Sequence, residues 1–384
     1  MDLSLSEQQE MLRTTARDFL TKECPKDLVR KMLKDEKGYS VDLWKKMTDA
    51  GWMGLIIPEK YGGMGATFLD LVVLLQEMGR VCLPGPYFSN LVGALVILEG
   101  GNEIQKQEFL PRIAEGGLLL TLALCEQGTG YDLNFIKSQA IQKRDEYIID
   151  GTKLFVENGH IADFLITIVT VKSGTTTRSK NIIPLLVGAK STGITSTLLN
   201  ILGGDKYCEV LFNNVRCPSH NLLGEPRLGT SHIEAVLRKS AVAKCAEMLG
   251  GAEMAFELSV QYAKERVQFG MPIGGFQSIQ FYCAEMKIDL EAMRNLVFHA
   301  AWKISEGLPY AKESAMAKFW MNKTYRQLTL LAHQIHGAIG FTEDHELPLY
   351  YLRSKAGEFA FGDNRYQADL IAAEMGLGAG RAIR

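Results

Sequence analysis

The sequence predicts an α+β multidomain protein with an N-terminal α-helical domain, a middle β-barrel or β-sandwich, and a C-terminal four-helix bundle. Apolar residues recur three and four positions apart through the first part of the chain, and this helical pattern returns after residue 226. Between these parts the chain is rich in β-branched residues, in short runs bounded by Gly, Asn and Asp. The predicted domains are therefore 1–118, 119–225 and 226–384.

The start of the first helix is marked by a capping pattern. Ser6 is followed three residues later by Gln9, which is the spacing of a capping box. Beyond it, Leu12, Ala16 and Phe19 fall on one face of a helix. We therefore expect a helix that begins directly after Ser6 and packs this apolar face against the N-terminal domain.

Short apolar runs in the middle domain predict β-strands. Each run ends at a residue that favours turns, as strands of a small all-β domain do. The clearest runs are Tyr147–Ile149, Leu154–Val156, Phe164–Val171, Ile182–Val187 and Glu209–Phe212.

A helical hairpin is predicted in the C-terminal domain around the stretch Tyr262–Gln277. Helical spacing leads into this stretch and resumes after it, while Gly270 and Pro272 interrupt it. Arg266 and Phe269 are three residues apart on the expected last helical turn, so both side chains would point the same way. A guanidinium beside an aromatic ring suits a phosphate group that carries a flat heterocycle. The simpler alternative is a charged helix end followed by a core phenylalanine.

Composition limits the classes of function. The chain has 384 residues, and its 42 basic and 44 acidic side chains nearly cancel, so no basic field favours nucleic acid or an anionic membrane. The seven cysteines are scattered without a Cys-x-x-Cys pair, which is typical of reduced thiols in a cytoplasmic protein. The N-terminus is acidic, and no apolar run reaches membrane-spanning length. We therefore expect a cytoplasmic protein.

Two strings carry a resemblance to a known family. Tyr262–Gln277 reads Tyr-Ala-Lys-Glu-Arg-Val-Gln-Phe-Gly-Met-Pro-Ile-Gly-Gly-Phe-Gln, and Gln334–Phe341 reads Gln-Ile-His-Gly-Ala-Ile-Gly-Phe. Both resemble C-terminal signatures of the acyl-CoA dehydrogenase family, and the similarity extends along the whole chain. The resemblance implies an FAD-dependent enzyme that desaturates an acyl-CoA thioester. It also implies an electron-transfer flavoprotein as electron acceptor and assembly as a dimer of dimers.

The resemblance further implies which residues hold FAD. In the family, backbone at the start of the loop matching Leu122–Asp132 binds the pyrimidine edge of the flavin, and Leu124 and Cys125 can keep this role whatever their side chains. Phe155 stands where a family tryptophan packs beside the flavin ring. Residues at the tip of the helical hairpin are expected to reach the FAD of a neighbouring subunit. The expected FAD-binding residues are Leu124, Cys125, Tyr131, Phe155, Val156, Glu157, Arg266, Phe269, Gln277, Gln334, Gly337 and Asn364.

Two substitutions near the expected flavin depart from the family pattern. Tyr131 replaces a family serine that contacts a flavin phosphate or the CoA moiety. Glu157 replaces a family threonine beside the reactive flavin nitrogen, where a carboxylate would disfavour reduction unless it faces solvent or is protonated. Tyr131, Arg238 and Gly362 are expected near the substrate or its CoA.

The largest departure concerns the catalytic base. The resemblance implies a glutamate that removes the α-proton of the thioester, about nine residues after an arginine, but counting from Arg353 leads to Gly362. An alternative family position falls near Ser240 or Ala241, and neither is acidic. Asp363 is therefore the candidate base, although an aspartate followed by Asn364 also suits a helix cap.

Three other hypotheses remain open at the level of sequence. The chain could be a base-lacking subunit of an α2β2 hetero-oligomer instead of a homotetramer, since a similar Phe-Gly-Asp ending occurs in a subgroup that assembles in this way. It could also carry out non-oxidative chemistry on an acyl-CoA, or an oxidation linked to O₂. A metal site is not expected, because His333, His336 and His345 have no paired cysteine or acid that completes a ligand set.

Overall fold

The computed structural model describes residues 4–171, 181–201, 203, 205–224 and 230–377. Within these residues the helices, numbered α1 to α11 in chain order, are Glu7–Glu23, Lys26–Lys34, Val41–Asp49, Phe68–Val81, Tyr87–Gly100, Glu103–Ala114, Ser231–Glu265, Gln277–Ser305, Ala311–His336, Leu347–Phe359 and Asn364–Glu374. The strands, numbered β1 to β9, are Leu120–Ala123, Gln139–Lys143, Glu146–Glu157, Phe164–Val171, Asn181–Gly188, Ile194–Leu199, Tyr207–Pro218, Val267–Gln268 and Met271–Pro272.

The start of α1 confirms the predicted capping box. The Gln9 amide donates to Ser6 Oγ at 3.2 Å, and the Ser6 amide donates to Gln9 Oε1 at 3.1 Å. These two bonds satisfy amides that the first helical turn leaves without partners. The helix therefore starts where its sequence predicts. Of the predicted apolar face Ala16 is buried and Leu12 and Phe19 are half-buried, while the buried Leu20 was not predicted.

The middle of the chain forms a seven-stranded sheet in the order β1-β4-β2-β3-β7-β6, with β5 paired to β4. Strand β4 covers the predicted run Phe164–Val171. The two runs predicted at Tyr147–Ile149 and Leu154–Val156 are a single strand, β3, which changes register twice along β7. Bulges of this kind let one strand continue through residues that look like a turn in the sequence.

Buried side chains of the sheet form one apolar core that includes Tyr147, Val169 and Phe212. The thiols of Cys208 and Cys217 lie in the same core. All seven cysteines are free, and five of them are buried.

In the helical part of the chain, α9 packs against α8, α10 and α11, and α4 packs against α1 and α8. Helices α4 and α7 approach closely at glycines. A Cβ on Gly250 would lie 1.8 Å from the Gln76 carbonyl oxygen, and one on Gly79 would lie 1.9 Å from the Glu247 carbonyl oxygen. Only glycine allows such backbone contact.

The chain divides into two compact units: one comprises Met1–Val29, Thr67–Leu83 and Arg238–Arg384, and the other Arg30–Ala66 and Pro84–Leu237. The three-domain boundaries stay a prediction, and the one at residues 225 and 226 lies outside the described residues. In the described part of the chain, no helix has both the length and the apolar character needed to cross a membrane.

Candidate active site

The loop after β1 is held by a buried ion pair. Lys153 Nζ lies 2.6 Å from Glu126 Oε1, and the side chains are 0% and 5% exposed. The Glu126 carboxylate also accepts hydrogen bonds from the amides of Lys137 at 2.7 Å and Ser138 at 3.0 Å. Lys153 donates in addition to the Leu124 carbonyl oxygen at 3.1 Å. No role is predicted for Lys153 or Glu126 from the sequence, although a lysine directly before a predicted buried strand is a signal for a buried partner.

Phe155 is strained and exposed. It has a φ of 55°, which a bulky residue rarely adopts, and its side chain is 58% exposed. It lies in the bulge of β3 between Lys153 and the fully buried Val156. Holding a residue in this conformation costs on the order of 1–3 kcal/mol, and such residues cluster at functional sites. The exposed Phe155 ring is therefore available to contact a ligand.

The side chains of Cys125 and Tyr131 interact within the same loop. Burial raises the pKa of the Cys125 thiol to about 11, while a hydrogen bond from Tyr131 and the charge of Lys153 act in the opposite direction. Cys125 is thus a neutral thiol at neutral pH, and a nucleophilic role does not fit it. Glu157 is the half-buried last residue of β3, and its backbone carbonyl accepts from Thr121 Oγ1 at 2.6 Å, so it lies in a strand and not in a turn.

The hairpin predicted between two helices is present, but its tip is not helical. Helix α7 ends at Glu265, and β8 and β9 form a small β-hairpin around Phe269 and Gly270. These two residues have φ values of 53° and 80°, as a two-residue turn with positive φ requires. The prediction that Arg266 and Phe269 share a last helical turn is therefore wrong, because this turn chemistry overrides the helical spacing. Arg266 and Phe269 are nonetheless both exposed, and Phe269 is 93% exposed.

Three further predicted residues lie at exposed positions near helix ends. Gln277 is the first residue of α8, and Gln334 is in the last turn of α9. Gly337 follows α9 with φ 64° and ψ −143°, a conformation that essentially only glycine adopts. The ring of His336 supports this end of α9 by stacking on Tyr262 with a centroid distance of 4.6 Å.

The loop that should carry the family base cannot hold a side chain at Gly362. This residue has a φ of 103°, and a Cβ on it would lie 2.2 Å from Tyr366 Cδ1. Asp363 is exposed and caps α11, since its Oδ1 accepts from the Tyr366 amide at 2.9 Å. Asn364 Oδ1 is buried and has no hydrogen-bond partner among the described residues.

A buried lysine anchors the same loop. Lys318 is 0% exposed and donates to the carbonyl oxygens of Gly357 at 2.8 Å and Gly362 at 3.4 Å, and to Asn322 Oδ1. Asn322 Nδ2 also donates to the Gly362 carbonyl oxygen at 3.2 Å. Burial lowers the pKa of Lys318 to about 8, and the nearby Lys244 contributes to the shift. Lys318 carries no local signal in the sequence, because two of its partners are backbone oxygens 39 and 44 residues away.

The remaining candidates lie at the start of α7 and the end of α9. Arg238 is half-buried, and its carbonyl oxygen accepts from Ser314 Oγ at 2.9 Å. Ser240 is fully buried, and its Oγ has no partner among the described residues. Across the described residues, no three His, Cys, Asp or Glu side chains are grouped so as to hold a metal ion.

Comparisons with known proteins cover nearly the whole chain. Residues 6–117, 121–215 and 228–376 match the family models for the acyl-CoA dehydrogenase N-terminal, middle and C-terminal domains. Acryloyl-CoA reductase (NADH) of Anaerotignum propionicum is 34% identical, over 98% of this chain and 96% of that protein.

Two solved structures show the same similarity. Butyryl-CoA dehydrogenase from Megasphaera elsdenii is 29% identical with a TM-score of 0.89, over 98% of this chain and 100% of that chain. A chain in a structure of the electron transferring flavoprotein of Acidaminococcus fermentans is 30% identical with a TM-score of 0.87, over 98% and 99% of the two chains. The protein therefore belongs to the acyl-CoA dehydrogenase family and is an oxidoreductase that acts on the CH–CH bond of acyl-CoA thioesters.

Proposed function

We propose that the chain is an FAD-dependent dehydrogenase that desaturates the Cα–Cβ bond of an acyl-CoA and passes the electrons to an electron-transfer flavoprotein. The observation that carries this proposal is the exposed, strained Phe155 beside the Leu124–Cys125 backbone. A strained aromatic side chain left in water costs stability, and a flat ligand that packs on it offsets this cost. When bound, FAD accepts the two electrons that leave the substrate.

The residues of the sheet fit a flavin. Phe155 offers a ring face, and the backbone of Leu124 and Cys125 offers hydrogen-bonding groups whose use does not depend on side-chain type. Val156 and Glu157 follow on the same strand, and the phenol of Tyr131 is a group that can donate to an oxyanion. We assign these residues to FAD, with Tyr131 also a candidate contact for CoA.

A second set of residues is assigned to the FAD of a neighbouring subunit. A guanidinium, an exposed ring and two exposed amides suit a phosphate-bearing cofactor, and Gly337 allows its backbone to approach closely. Their exposure supports assembly into a homotetramer or an α2β2 hetero-oligomer, because Phe269 is apolar and almost wholly in water. The set is Arg266, Phe269, Gln277, Gln334 and Gly337.

The substrate is assigned to the Gly362 loop. Gly362 contributes backbone without a side chain, and Asn364 brings a buried acceptor without a protein partner in the described chain. Arg238 is assigned to a CoA phosphate. Asp363 is the carboxylate adjacent to this loop, and although its Oδ1 caps α11, its second oxygen is available to take the α-proton.

Replacing Asp363 by Asn tests this role without disturbing the helix. Asparagine caps a helix about as well as aspartate, so the fold is retained while the proton acceptor is lost. We expect FAD content to stay unchanged and the rate of anaerobic flavin reduction by an acyl-CoA to fall about a hundredfold, the scale of general base catalysis.

Asp35→Asn is the matched control, because Asp35 Oδ1 also accepts backbone amides, from Lys37 at 2.8 Å and Gly38 at 3.1 Å. Flavin reduction at the original rate in Asp363→Asn would remove the base assignment.

The proposed function itself is tested on the chain expressed alone. FAD per subunit is measured first, followed by anaerobic bleaching of the flavin with saturated acyl-CoAs of different chain types. A colourless protein that takes up no added FAD contradicts the proposal. Bleaching only in the presence of a second, Glu-bearing subunit supports the hetero-oligomer, and turnover of enoyl-CoAs without bleaching by any saturated thioester indicates a reductase.

A further inference from the structure

The ion pair of Lys153 and Glu126 lies directly beneath the two segments assigned to the flavin. Burying either charge alone would be costly, and the pair is saturated by hydrogen bonds that compensate it. Burial opposes ionisation of Glu126, but the charge of Lys153 and the hydrogen bonds from Lys153 and Ser138 outweigh it, so the pKa of Glu126 is lowered. Burial lowers the pKa of Lys153, and the Glu126 carboxylate opposes that shift. The short contact between the two buried groups makes the pair a fixed element of the sheet.

Glu126 joins the two ends of the loop through hydrogen bonds. Its two carboxylate oxygens accept the amides of Lys137 and Ser138, eleven and twelve residues further along the chain. Its own amide donates to Thr129 Oγ1 at 3.1 Å. One carboxylate thus ties the beginning and the end of the segment that follows Cys125 and contains Tyr131.

Lys153 fixes the direction of a peptide plane. Its Nζ donates to the Leu124 carbonyl oxygen at 3.1 Å, and the next residue, Leu154, donates its amide to the Cys125 carbonyl oxygen at 2.8 Å. In a planar trans peptide the C=O and the following N–H point in opposite directions. Because the Leu124 carbonyl points at the ammonium, the Cys125 N–H points away from it.

Lys153 also immediately precedes the bulge that exposes Phe155. The register shift between Lys153 and Val156 places the Phe155 ring outside the sheet, while Lys153 and Val156 are both 0% exposed. The two inward side chains flank the bulge and hold its conformation against relaxation. Lys153 is therefore hydrogen-bonded to the loop and is also the residue directly before the bulge.

We propose that Lys153, paired with Glu126, is a positioning residue that aims the Cys125 amide and the Phe155 ring at one flat ligand, which under the proposed function is the pyrimidine edge and ring of FAD. Neither side chain touches the ligand, since both are buried beneath the loop. The inference rests on the proposed function for the identity of the ligand.

The double variant Lys153→Met/Glu126→Gln tests whether the pair orients the Cys125 amide and the Phe155 ring, apart from its effect on the stability of the fold. Removing one partner leaves a buried charge, which destabilises any protein, whereas replacing both by groups of similar shape is often neutral. We expect the double variant to fold, with a lower melting temperature than the wild type, because the glutamine offers one acceptor oxygen to the two amides that the carboxylate accepts. Its FAD dissociation constant should be about tenfold higher, as expected when one hydrogen bond to a ligand is misdirected, and its visible flavin bands should shift.

The control is Arg216→Met/Glu146→Gln, which removes an exposed ion pair between β3 and β7 and should change neither the affinity nor the spectrum. Wild-type affinity and wild-type flavin bands in the Lys153→Met/Glu126→Gln protein would overturn the inference while leaving the proposed function intact. A wild-type protein that binds no FAD contradicts the proposed function instead.

If the double variant does not fold, hydrogen exchange on the wild-type protein decides the question. Added FAD should slow exchange of the Cys125 amide, because that N–H is aimed at the ligand. Unchanged exchange at Cys125 in an FAD-saturated protein would overturn the inference.

Discussion

At the scale of single residues, the Gly362 loop explains why this chain departs from its family's sequence pattern. A glutamate at position 362 would place its Cβ against the Tyr366 ring, so the loop is built for glycine and not merely deprived of an acid. The sequence located this loop and offered helix capping as an alternative for Asp363, and the capping bond is present. It could not indicate the clash, because the clash depends on a φ of 103°.

The buried Lys318 makes the free energy of unfolding depend on pH. Its folded-state pKa of about 8 lies below the ordinary lysine pKa of 10.5, so the unfolded chain binds this proton more tightly. Between these two values the folded state loses the proton as pH rises while the unfolded state keeps it, so the penalty for burying the charge disappears. The contribution of Lys318 to the free energy of unfolding should therefore rise by about 1.5 kcal/mol between pH 8 and pH 9.5.

Urea unfolding of the wild type and Lys318→Met at both pH values measures this change. Groups common to the two proteins cancel, so the wild type should gain stability relative to the variant as pH rises. Lys287→Met, which removes an exposed amine on α8, controls for the loss of a surface lysine. A difference between wild type and Lys318→Met that stays constant over this range contradicts the lowered pKa.

At the scale of elements, local patterns predicted several helices and strands but not where the chain bends. The capping box of α1 and the whole of β4 follow from neighbouring residues alone. Helical spacing failed at Arg266–Phe269, because a two-residue turn with positive φ at Phe269 and Gly270 is more specific than periodicity. The buried ion pair of Lys153 and Glu126 could not be predicted from local sequence either, because the two residues meet only after β3 folds beside the loop.

The contact between α4 and α7 yields a prediction at this scale. Gly250→Ala places a methyl group 1.8 Å from the Gln76 carbonyl oxygen, which is backbone and cannot move aside without shifting a helix. We expect a loss of about 3 kcal/mol in the free energy of unfolding, the upper range for overpacking. Urea unfolding followed by circular dichroism measures it.

Gly357→Ala is the comparison for Gly250→Ala. Its added methyl group would meet the flexible Met248 side chain at 2.8 Å, and this side chain can turn away. The stability loss should therefore be clearly smaller than for Gly250→Ala. Equal losses would mean that backbone approach between α4 and α7 does not limit the size of residue 250.

At the scale of the whole molecule, the apolar tip of the β8–β9 hairpin stays exposed to solvent in the single chain. Val267 and Met271 are 53% and 41% exposed on either side of the 93% exposed Phe269, and together they form a patch that water solvates poorly. The turn that projects Phe269 outward is specific, so the exposure is built into the backbone. A second subunit and its cofactor are the partners that the proposed function supplies.

Phe269→Ser tests this assembly. Because the side chain is almost fully exposed, its loss should leave the stability of the isolated protomer unchanged. Burial of a phenylalanine contributes about 2 kcal/mol, so the affinity between subunits or for FAD should fall about thirtyfold. Sedimentation at several protein concentrations, together with FAD per subunit after gel filtration, measures both quantities.

Ile104→Ser is the control, because Ile104 is 75% exposed on α6 and has no assigned role. Ile104→Ser should retain the wild-type assembly and cofactor content, which separates a specific interface from a general loss of surface hydrophobicity. If Phe269→Ser sediments as the wild type does and retains the same FAD, the tip does not contact a neighbouring subunit. The residues Arg266 and Gln277 then lose their assignment to the FAD of that subunit, while the assignments to Cys125 and Phe155 stand, because those rest on the sheet alone.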